Sequence, residues 1–238
     1  MVHRDVFSRG GDFQRLDSLK RNRQKRSKTG LVFVEGVQPI NSALENGVRF
    51  ESVVVDGERR LSPWAERVIR GAGAEVVVLQ KGLMSELSDR EDPSELLAIV
   101  RNPAHQPGAI ASHEGLLVVV VDRPGSEGNL GSVIRSADAF RADAVITTGH
   151  GVDMYDPRTI RASVGAIFNT PVMHCERAIL FSTLERLHRD LPALRIVGSS
   201  ARGGSSIHEI GGVGRPCVLM LGSENAGLSK AMVDMCTE

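Results

Sequence analysis

The sequence feature that most constrains the fold is a run of six aliphatic residues, Leu116–Val121. The run is far too short to cross a bilayer, and it is typical of a parallel strand that helices cover on both faces. Similar apolar runs recur and alternate with segments of helical periodicity. These runs are LVFVEG, SVVVDG, AEVVVLQ, LLAIV, DAVITT, TPVMH, LRIVGS and CVLMLGS. The alternation predicts an α/β fold.

One stretch, Arg101–Gly115, interrupts this alternation, because it contains two prolines and has no periodic apolar pattern. We interpret it as a linker and predict a smaller α/β domain at 1–103, a linker at 104–114 and a second domain at 115–238. The cleaner strand pattern of the second domain predicts a parallel sheet of roughly five or six strands. Helices in the first domain are predicted near 12–27, 37–47, 62–72 and 82–89.

Composition excludes several classes of protein. The charged N-terminal segment has no apolar run of the kind found in signal peptides. Three cysteines (Cys175, Cys217 and Cys236) show neither a disulfide framework nor metal-ligand spacing, and the seven histidines are scattered. We therefore expect a soluble, cytoplasmic protein with no membrane partner and no metal.

Positive charge is concentrated at the N-terminus, although the formal net charge of the chain is zero. Residues 1–30 carry nine Lys/Arg against three acids, and the stretch KRNRQKRSK contains six positive charges and no acid. This pattern favours a surface that contacts nucleic-acid phosphates, and a solvated basic tail is the alternative. The RNA-binding candidates within it are Lys20, Arg21, Arg23, Lys25 and Arg26.

The segment NLGSVIRSADAF follows the strand Leu116–Val121 and predicts a helix that Asn129 caps. An apolar stripe at helical spacing leaves Arg135 outside it, where its side chain can reach a groove. The alternative is a solvated arginine paired with Asp138. The glycines at 125, 128 and 131 run G-x-x-G-x-x-G, which disfavours a dinucleotide site of the G-x-G-x-x-G type.

The segment DPRTIRASVGAIF begins with a strong helix start at Asp156-Pro157. Ile160, Val164 and Ile167/Phe168 form its predicted buried stripe, which does not explain Arg161, Ser163 or Gly165. A glycine inside a helix costs about 1 kcal/mol relative to alanine. Gly165 therefore predicts a close approach of another backbone.

The segment VLMLGSENAGLS is a buried strand that ends at Gly222 and is followed by a polar turn with Glu224. Glu224 either stabilises a helix start or faces a ligand. A similar turn of small residues, with Ser199, follows LRIVG. Each of the three segments, NLGSVIRSADAF, DPRTIRASVGAIF and VLMLGSENAGLS, belongs to a stretch that begins where a predicted strand ends. Because ligands bind at the carboxyl ends of strands in open parallel sheets, the three segments predict one shared site.

Taken in order, NLGSVIRSADAF, DPRTIRASVGAIF and VLMLGSENAGLS resemble the three motifs of the SpoU (TrmH-like) branch of the SPOUT RNA methyltransferases. The segment NRQKRSKTGLVFVEGVQPI resembles that family's ribosomal-protein-like RNA-binding module. The resemblance therefore covers nearly the whole chain. It is closest in appearance to the ribosomal RNA enzymes, including actinobacterial self-resistance methyltransferases.

This resemblance implies transfer of a methyl group from S-adenosylmethionine (AdoMet) to a ribose 2′-hydroxyl, with ribosomal RNA favoured over transfer RNA as substrate. It further implies a deep trefoil knot in the second domain and a homodimer in the full-length form. Carried over by position, Asn129, Arg135 and Arg161 belong to the catalytic and RNA side. Ser199, Gly222 and Glu224 belong to the cofactor side.

The family pattern continues past GLS into a further strand, loop and helix, so we expect this chain, which ends at MVDMCTE, to lack that part. An RNA-binding protein without turnover is therefore an alternative, and a doubly wound nucleotide- or NAD-dependent enzyme is a second one. For the methyltransferase, Arg135 is expected to clamp a phosphate and polarise the hydroxyl. Arginine side chains lose their proton only above about pH 12, which makes them weak general bases.

Overall fold

The structure is a computed structural model that describes residues 3–80, 82–88, 90–200, 206, 214 and 216–237. Its contacts divide the chain into two compact units. The N-terminal unit comprises residues 1–103 with 155–169, and the C-terminal unit comprises residues 104–154 with 170–238. A short piece from the middle of the chain thus belongs with the N-terminal unit. The domain boundaries predicted above follow chain order and stay a prediction.

The N-terminal unit is built on a mixed sheet. Its described strands are β1 (His3–Val6), β2 (Leu31–Glu35), β3 (Phe50–Asp56), β4 (Glu75–Leu79) and β5 (Leu96–Arg101). They lie in the order β1-β4-β3-β5-β2. β4 is parallel to β1 and β3, whereas β5 is antiparallel to β3 and β2. The four predicted strands are confirmed. Strand β1 was not predicted, because in HRDV only Val6 is buried.

Six described α-helices belong to this unit. They are α1 (Gly11–Arg21), α2 (Arg23–Thr29), α3 (Val37–Glu45), α4 (Pro63–Ala72), α5 (Leu83–Leu87) and, much later in the chain, α7 (Pro157–Ala162). A 3-10 helix, Ala166–Phe168, follows α7. Ser62 caps α4 by accepting a hydrogen bond from the Ala65 amide, and Asp156 caps α7 by accepting one from the Arg158 amide. The helix start predicted at Asp156-Pro157 is therefore confirmed.

The single helix predicted near 12–27 is wrong, because the chain breaks at Asn22. The backbone of Asn22 is extended, with φ −117° and ψ 108°, so it ends α1. Its side chain then accepts a hydrogen bond from the Lys25 amide and caps α2. Asparagine favours this position, since its carbonyl oxygen satisfies an amide that has no partner inside the helix.

The C-terminal unit contains a sheet whose described strands are all parallel. They are β6 (Leu117–Asp122), β7 (Ala144–Thr148), β8 (Val172–Cys175), β9 (Arg195–Gly198) and β10 (Cys217–Leu221), in the order β8-β7-β6-β10-β9. The described helices of this unit are α6 (Glu127–Ala139), α8 (Arg177–Asp190), α9 (Lys230–Val233) and the 3-10 helix Pro107–Ala109.

Strand β6 lies at the centre of this sheet, and its four valines, 118 to 121, are all buried. Burial of successive side chains means that both faces of the strand are covered, as the continuous aliphatic run predicts. Cys175 and Cys217 are buried free thiols. Burial raises the pKa of Cys175 to about 11, which keeps that thiol protonated and unreactive at neutral pH. The prediction of an α/β chain with a C-terminal parallel sheet is confirmed, and the knot stays a prediction.

Candidate functional site

The carboxyl ends of β6, β7 and β10 meet around one buried carboxylate, that of Asp122. Its Oδ1 accepts a hydrogen bond from the Thr148 hydroxyl at 3.0 Å, at the end of β7. Its Oδ2 accepts one from the Ser229 backbone amide at 3.0 Å and one from Arg123 Nε at 3.1 Å. The Arg177 guanidinium lies 3.9 Å from Oδ1. Asp122 thus joins the central strand to the segment that follows β10.

The charge of Asp122 is maintained by these partners. Burial alone would raise the pKa of this carboxyl, because a charged group is poorly solvated in the interior. Hydrogen bonds from the backbone of Ser229, from Thr148 and from Arg123 outweigh that effect, and the net result is a lowered pKa. Asp122 is therefore an ionised acceptor at neutral pH. Sequence analysis missed it, although an acid directly after a wholly aliphatic strand was a usable signal.

Arg123 also contacts the segment that follows β10. Its Nη2 donates a hydrogen bond to the Gly227 carbonyl at 3.0 Å. Ser223 and Gly227 pair with each other through both of their backbone amides and carbonyls, which closes a tight turn. The backbone of Arg123 lies in the left-handed region, with φ 56°, which is uncommon for a residue with a side chain. We call residues 223–229, held by Asp122 and Arg123, the C-terminal turn.

Two predicted site residues meet at this turn. The side-chain amide of Asn129 donates a hydrogen bond to the Glu224 carboxylate. Both residues are exposed, so a ligand at this edge of the sheet can reach the pair. The prediction that Asn129 caps α6 is wrong, because the cap is Ser126, whose hydroxyl accepts a hydrogen bond from the Asn129 amide.

Arg135 lies on the exposed side of α6, outside the buried stripe formed by Leu130, Gly131, Ile134 and Ala137. No described residue makes a hydrogen bond or ion pair with its guanidinium. The alternative pairing with Asp138 is not observed, since the described partner of that carboxylate is the Thr170 hydroxyl at 2.9 Å. The Arg135 side chain is therefore available to a ligand.

Gly222 and Ser199 lie at the ends of β10 and β9. The Ser199 amide donates to the Met220 carbonyl at 2.9 Å, so these two strand ends are adjacent. A Cβ at position 222 would lie 2.1 Å from the Gly227 carbonyl carbon and 2.2 Å from the Leu228 amide nitrogen. Only glycine allows the C-terminal turn to fold back so closely. The Ser199 side chain is exposed.

This edge suits a ligand that donates hydrogen bonds. It presents the Glu224 carboxylate and small exposed residues at 199, 200, 225 and 226. The ammonium, ribose hydroxyls and adenine amine of AdoMet are donors that carboxylate and backbone carbonyl oxygens accept. Within the described ranges, no group of three or more His, Cys, Asp or Glu side chains is arranged to hold a metal ion. In the same ranges, every helix is too short or too polar to span a bilayer.

Arg161 has its contacts in the N-terminal unit. Its Nη2 donates to Glu35 Oε2 at 3.1 Å, at the end of β2. Glu35 is buried and also accepts hydrogen bonds from the hydroxyls of Ser88 and Ser94. Arg161 is itself partly exposed, with 44% of its side chain accessible, and it lines a cleft of about 550 Å³ with Arg90 and Glu91. The structure therefore unites Asn129 with Glu224, and it gives Arg161 a different set of neighbours.

Gly165 confirms the predicted close approach but not the predicted helix. Helix α7 ends at Ala162, and Gly165 has φ 88°, in the left-handed region. A Cβ there would lie 2.8 Å from Pro39 Cα and 3.1 Å from the Gln38 carbonyl oxygen. The prediction that Val164 belongs to a buried stripe is wrong, since its φ is 54° and it is 45% exposed.

The basic N-terminal run divides into buried and exposed cations. Lys20 is 6% exposed, and its Nζ donates to the Leu87 carbonyl at 2.7 Å. Arg26 is 4% exposed, donates to the carbonyls of Leu19 and Lys20, and pairs with Asp156 at 3.3 Å. The prediction that these two side chains contact RNA is corrected, because their cationic ends serve buried carbonyls and a carboxylate.

Arg21, Arg23 and Lys25 are exposed, as a phosphate-contacting surface requires. Arg21 forms an ion pair with Asp17 at 2.7 Å, four residues earlier on α1. Exposed pairs of this kind contribute little and are exchanged easily for other partners. These three residues retain the predicted surface position.

Comparison with known proteins gives consistent results for both halves of the chain. Residues 116–238 match the model of the SpoU rRNA Methylase family, and residues 10–98 match the SpoU L30e-like domain. The chain is 35% identical to the 23S rRNA (uridine(2479)-2′-O)-methyltransferase of Streptomyces viridochromogenes, over 98% of this chain and 82% of that protein. It is 26% identical to the 23S rRNA (guanosine(2553)-2′-O)-methyltransferase RlmP of Bacillus subtilis, over 94% and 82% of the two chains.

A solved structure matches the whole fold. The crystal structure of the SpoU methyltransferase AviRb from Streptomyces viridochromogenes, in complex with the cofactor AdoMet, superposes with a TM-score of 0.90. The match has 35% sequence identity and covers 96% of this chain and 87% of that one.

Proposed function

The chain belongs to the SpoU rRNA methylase family, and we propose how its residues carry out methyl transfer and on which RNA. It is an AdoMet-dependent RNA ribose 2′-O-methyltransferase. The proposed substrate is ribosomal RNA, in preference to transfer RNA. The observation that supports this choice is the similarity, over 98% of the chain, to an enzyme named for 23S rRNA.

The nucleophile is the chemical difficulty in this reaction. Bound AdoMet supplies a methyl group on a positively charged sulfur, which needs no metal to activate it. A ribose hydroxyl attacks poorly unless its proton is removed or strongly polarised. The protein must therefore polarise the hydroxyl, hold it in line with the methyl group and exclude competing water.

Arg135 is the residue proposed to act on the hydroxyl. Its exposed guanidinium has no partner among the described residues and is available to the RNA. A planar guanidinium can hold two oxygens at once, so it can bind a phosphate and polarise the neighbouring 2′-hydroxyl. The phosphate assists loss of the hydroxyl proton to solvent, because a guanidinium that is already protonated at neutral pH cannot accept it.

Asn129 and Glu224 are proposed to act as a pair at the mouth of the site. Glu224 fixes the orientation of the Asn129 amide, and because Asn129 is exposed, its second N–H can donate to the RNA ribose or phosphate. The free carboxylate oxygen of Glu224 can accept a hydrogen bond from AdoMet. The pair would thus bring cofactor and substrate to the same edge of the sheet.

Ser199 and Gly222 are proposed as cofactor-side residues, through their backbone groups and small size. Their strand ends are adjacent, and Gly222 lets the C-terminal turn lie against β10. Arg161 is proposed to contact RNA from the cleft that it lines, with Glu35 fixing its guanidinium. Arg21, Arg23 and Lys25 are proposed to contact RNA phosphates. We also propose that the protein is a homodimer, which sedimentation can test.

The decisive experiment uses the purified chain, methyl-labelled AdoMet and two RNA substrates, 23S rRNA and a transfer RNA pool. We expect label in 23S rRNA, at a nucleotide that becomes resistant to alkaline cleavage because its 2′-hydroxyl is methylated. Label in transfer RNA alone would contradict the proposed substrate. RNA binding without any label would favour a binding protein, and binding of NAD instead of AdoMet would favour a nucleotide-dependent enzyme.

A further inference from the structure

We propose that Asp122 is a positioning residue for methyl transfer: together with Arg123, it holds the C-terminal turn that carries Glu224 at the carboxyl end of β6. The inference deepens the proposed function, and its relation to catalysis rests on that function. Asp122 is not proposed to touch the reacting atoms. It acts through the turn, by fixing where Glu224 and its partner Asn129 stand.

The position of Asp122 makes it suited to this role. It is fully buried at the end of the central strand, which has a hydrogen-bonded neighbour strand on each side. A carboxylate accepts hydrogen bonds only, and both of its oxygens are used here. One oxygen faces β7 through Thr148, and the other faces the C-terminal turn through the Ser229 amide. The strand ends and the turn are therefore tied to a single charged group.

Arg123 extends the anchor along the turn. Its Nε donates to the Asp122 carboxylate, and its Nη2 donates to the Gly227 carbonyl. The two contacts of this anchor, at positions 227 and 229, lie on the C-terminal side of Glu224. On the other side, Gly222 packs against the backbone of Gly227 and Leu228. Residues 223–226 are thus left as a short arch that is pinned at both ends.

Because the arch is held at both ends, the Glu224 side chain can keep a defined orientation although it is exposed. Four-residue arches with exposed tips sample many conformations unless their ends are fixed. Here both ends are tied to the sheet, and the tip meets Asn129 on α6. Loss of the Asp122 charge would release one end, so the arch would reorder only when the cofactor binds. The cost of that ordering would weaken cofactor binding.

The test is Asp122→Asn, which keeps the shape of the side chain but removes the charge and places N–H donors among donors. We expect faster hydrogen–deuterium exchange over residues 222–229 and about a tenfold increase in the AdoMet dissociation constant, the size expected for hydrogen bonds to a charged group. KM for AdoMet should rise more than kcat falls, and the affinity for 23S rRNA should stay at the wild-type value.

Asp143→Asn is the matched control. Asp143 is also an acceptor for a backbone amide, that of Leu117 at 2.8 Å, but it lies at the amino end of β6, the opposite edge of the same sheet. This variant should lose some thermal stability and keep wild-type exchange in the turn and wild-type KM for AdoMet. An equal effect of both substitutions would overturn the inference, because Asp122 would then act only on general stability.

Arg123→Gln tests the same inference if the Asp122→Asn variant does not fold. The Arg123 side chain is 30% exposed, and its replacement removes the bond to Gly227 without burying a new charge. Raised exchange and a raised KM for AdoMet would support the inference, and wild-type values of either would overturn it. The proposed function is tested separately. If the wild-type chain binds AdoMet but methylates no RNA, the proposed function fails. The AdoMet dissociation constant and the hydrogen–deuterium exchange of the turn still test the role of Asp122 in that case. If the wild-type chain binds no AdoMet, both fail.

Discussion

The side-chain amide of Asn129 donates a hydrogen bond to the carboxylate of Glu224, which joins the first turn of α6 to the arch after β10. The two residues are 95 positions apart in the chain. The pair provides the first prediction. Asn129→Asp would place two carboxylates against each other and should reduce methyl transfer about tenfold or more.

The Asn129→Asp/Glu224→Gln double variant is the control for that change. It restores a donor and an acceptor with their roles reversed, so it should recover part of the methyl transfer that the single variant loses. A coupling free energy of about 1 kcal/mol between the two positions is expected from a double-mutant cycle of the transfer rates. Strictly additive effects would show that the two residues act independently.

Arg135→Ala should lower the rate of methyl transfer by about 100-fold or more, since it removes the group proposed to stabilise charge at the reacting hydroxyl. AdoMet affinity and the melting temperature should change little, because the side chain is exposed and outside the core. Arg135→Lys should not restore the rate, as an ammonium lacks the planar fork. Single-turnover transfer with saturating AdoMet measures this, and a full rate in the alanine variant would remove Arg135 from the mechanism.

Neutralising Arg21, Arg23 and Lys25 should weaken rRNA binding and flatten its salt dependence. Each lost contact with a single-stranded phosphate should reduce the slope of log affinity against log salt by about 0.7. Filter binding between low and physiological salt gives the slope. Neutralising Arg67 and Arg70 on α4 changes net charge outside the basic run and serves as the control. If both variants alter the slope equally, the basic run has no special role.

Arg26→Met should act on stability, in contrast to its neighbours in the run. It removes hydrogen bonds to two carbonyls at the end of α1 and leaves the partly buried Asp156 without this cation. A loss of about 2–3 kcal/mol in the free energy of unfolding is expected. Lys25→Met, one position earlier and exposed, should change it by no more than about 0.5 kcal/mol. Urea denaturation of both variants tests the assignment of buried and exposed cations.

Gly222→Ala should raise the AdoMet dissociation constant about tenfold or more, because a methyl group there meets the backbone of the C-terminal turn at 2.1 Å. Gly128→Ala on α6 is the comparison, since its Cβ would meet nothing closer than the Ser126 hydroxyl at 3.7 Å. That variant should bind AdoMet normally and be slightly more stable, as alanine favours helix. Normal cofactor binding by Gly222→Ala would place the cofactor away from this turn.

The strands were predictable from the sequence because burial on both faces leaves a local signature. The run at Leu116–Val121 gave β6 almost to the residue, whereas β1 was missed, because three of its four side chains are exposed. The break at Asn22 was also missed. An asparagine between two stretches of good helix formers is compatible with one continuous helix. Only the structure shows that the Asn22 side chain caps a second helix, α2.

Several residues of the site could be predicted from the sequence, but the side chains that they contact could not. Asn129 and Glu224 were identified from their motifs, but nothing local shows that they touch. Charge runs are the weakest guide, since Lys25 and Arg26 are adjacent and one is exposed while the other is buried. Which of them turns inward depends on carbonyls at Leu19 and Lys20 that only the folded chain brings within reach. Long-range hydrogen bonds decide the roles that residue type leaves open.

Residues 155–169 have a consequence for the exchange of modules among relatives of this chain. They sit on the N-terminal unit through Arg26 with Asp156, Glu35 with Arg161, and the close passage of Gly165 over Pro39. A recombination that imports a foreign N-terminal half up to residue 103 would separate each of these residues from the neighbour with which it fits. A lineage that exchanges this half must therefore also exchange the 155–169 segment, which needs two further crossovers, one on each side of it. Otherwise the segment must adapt by later substitutions.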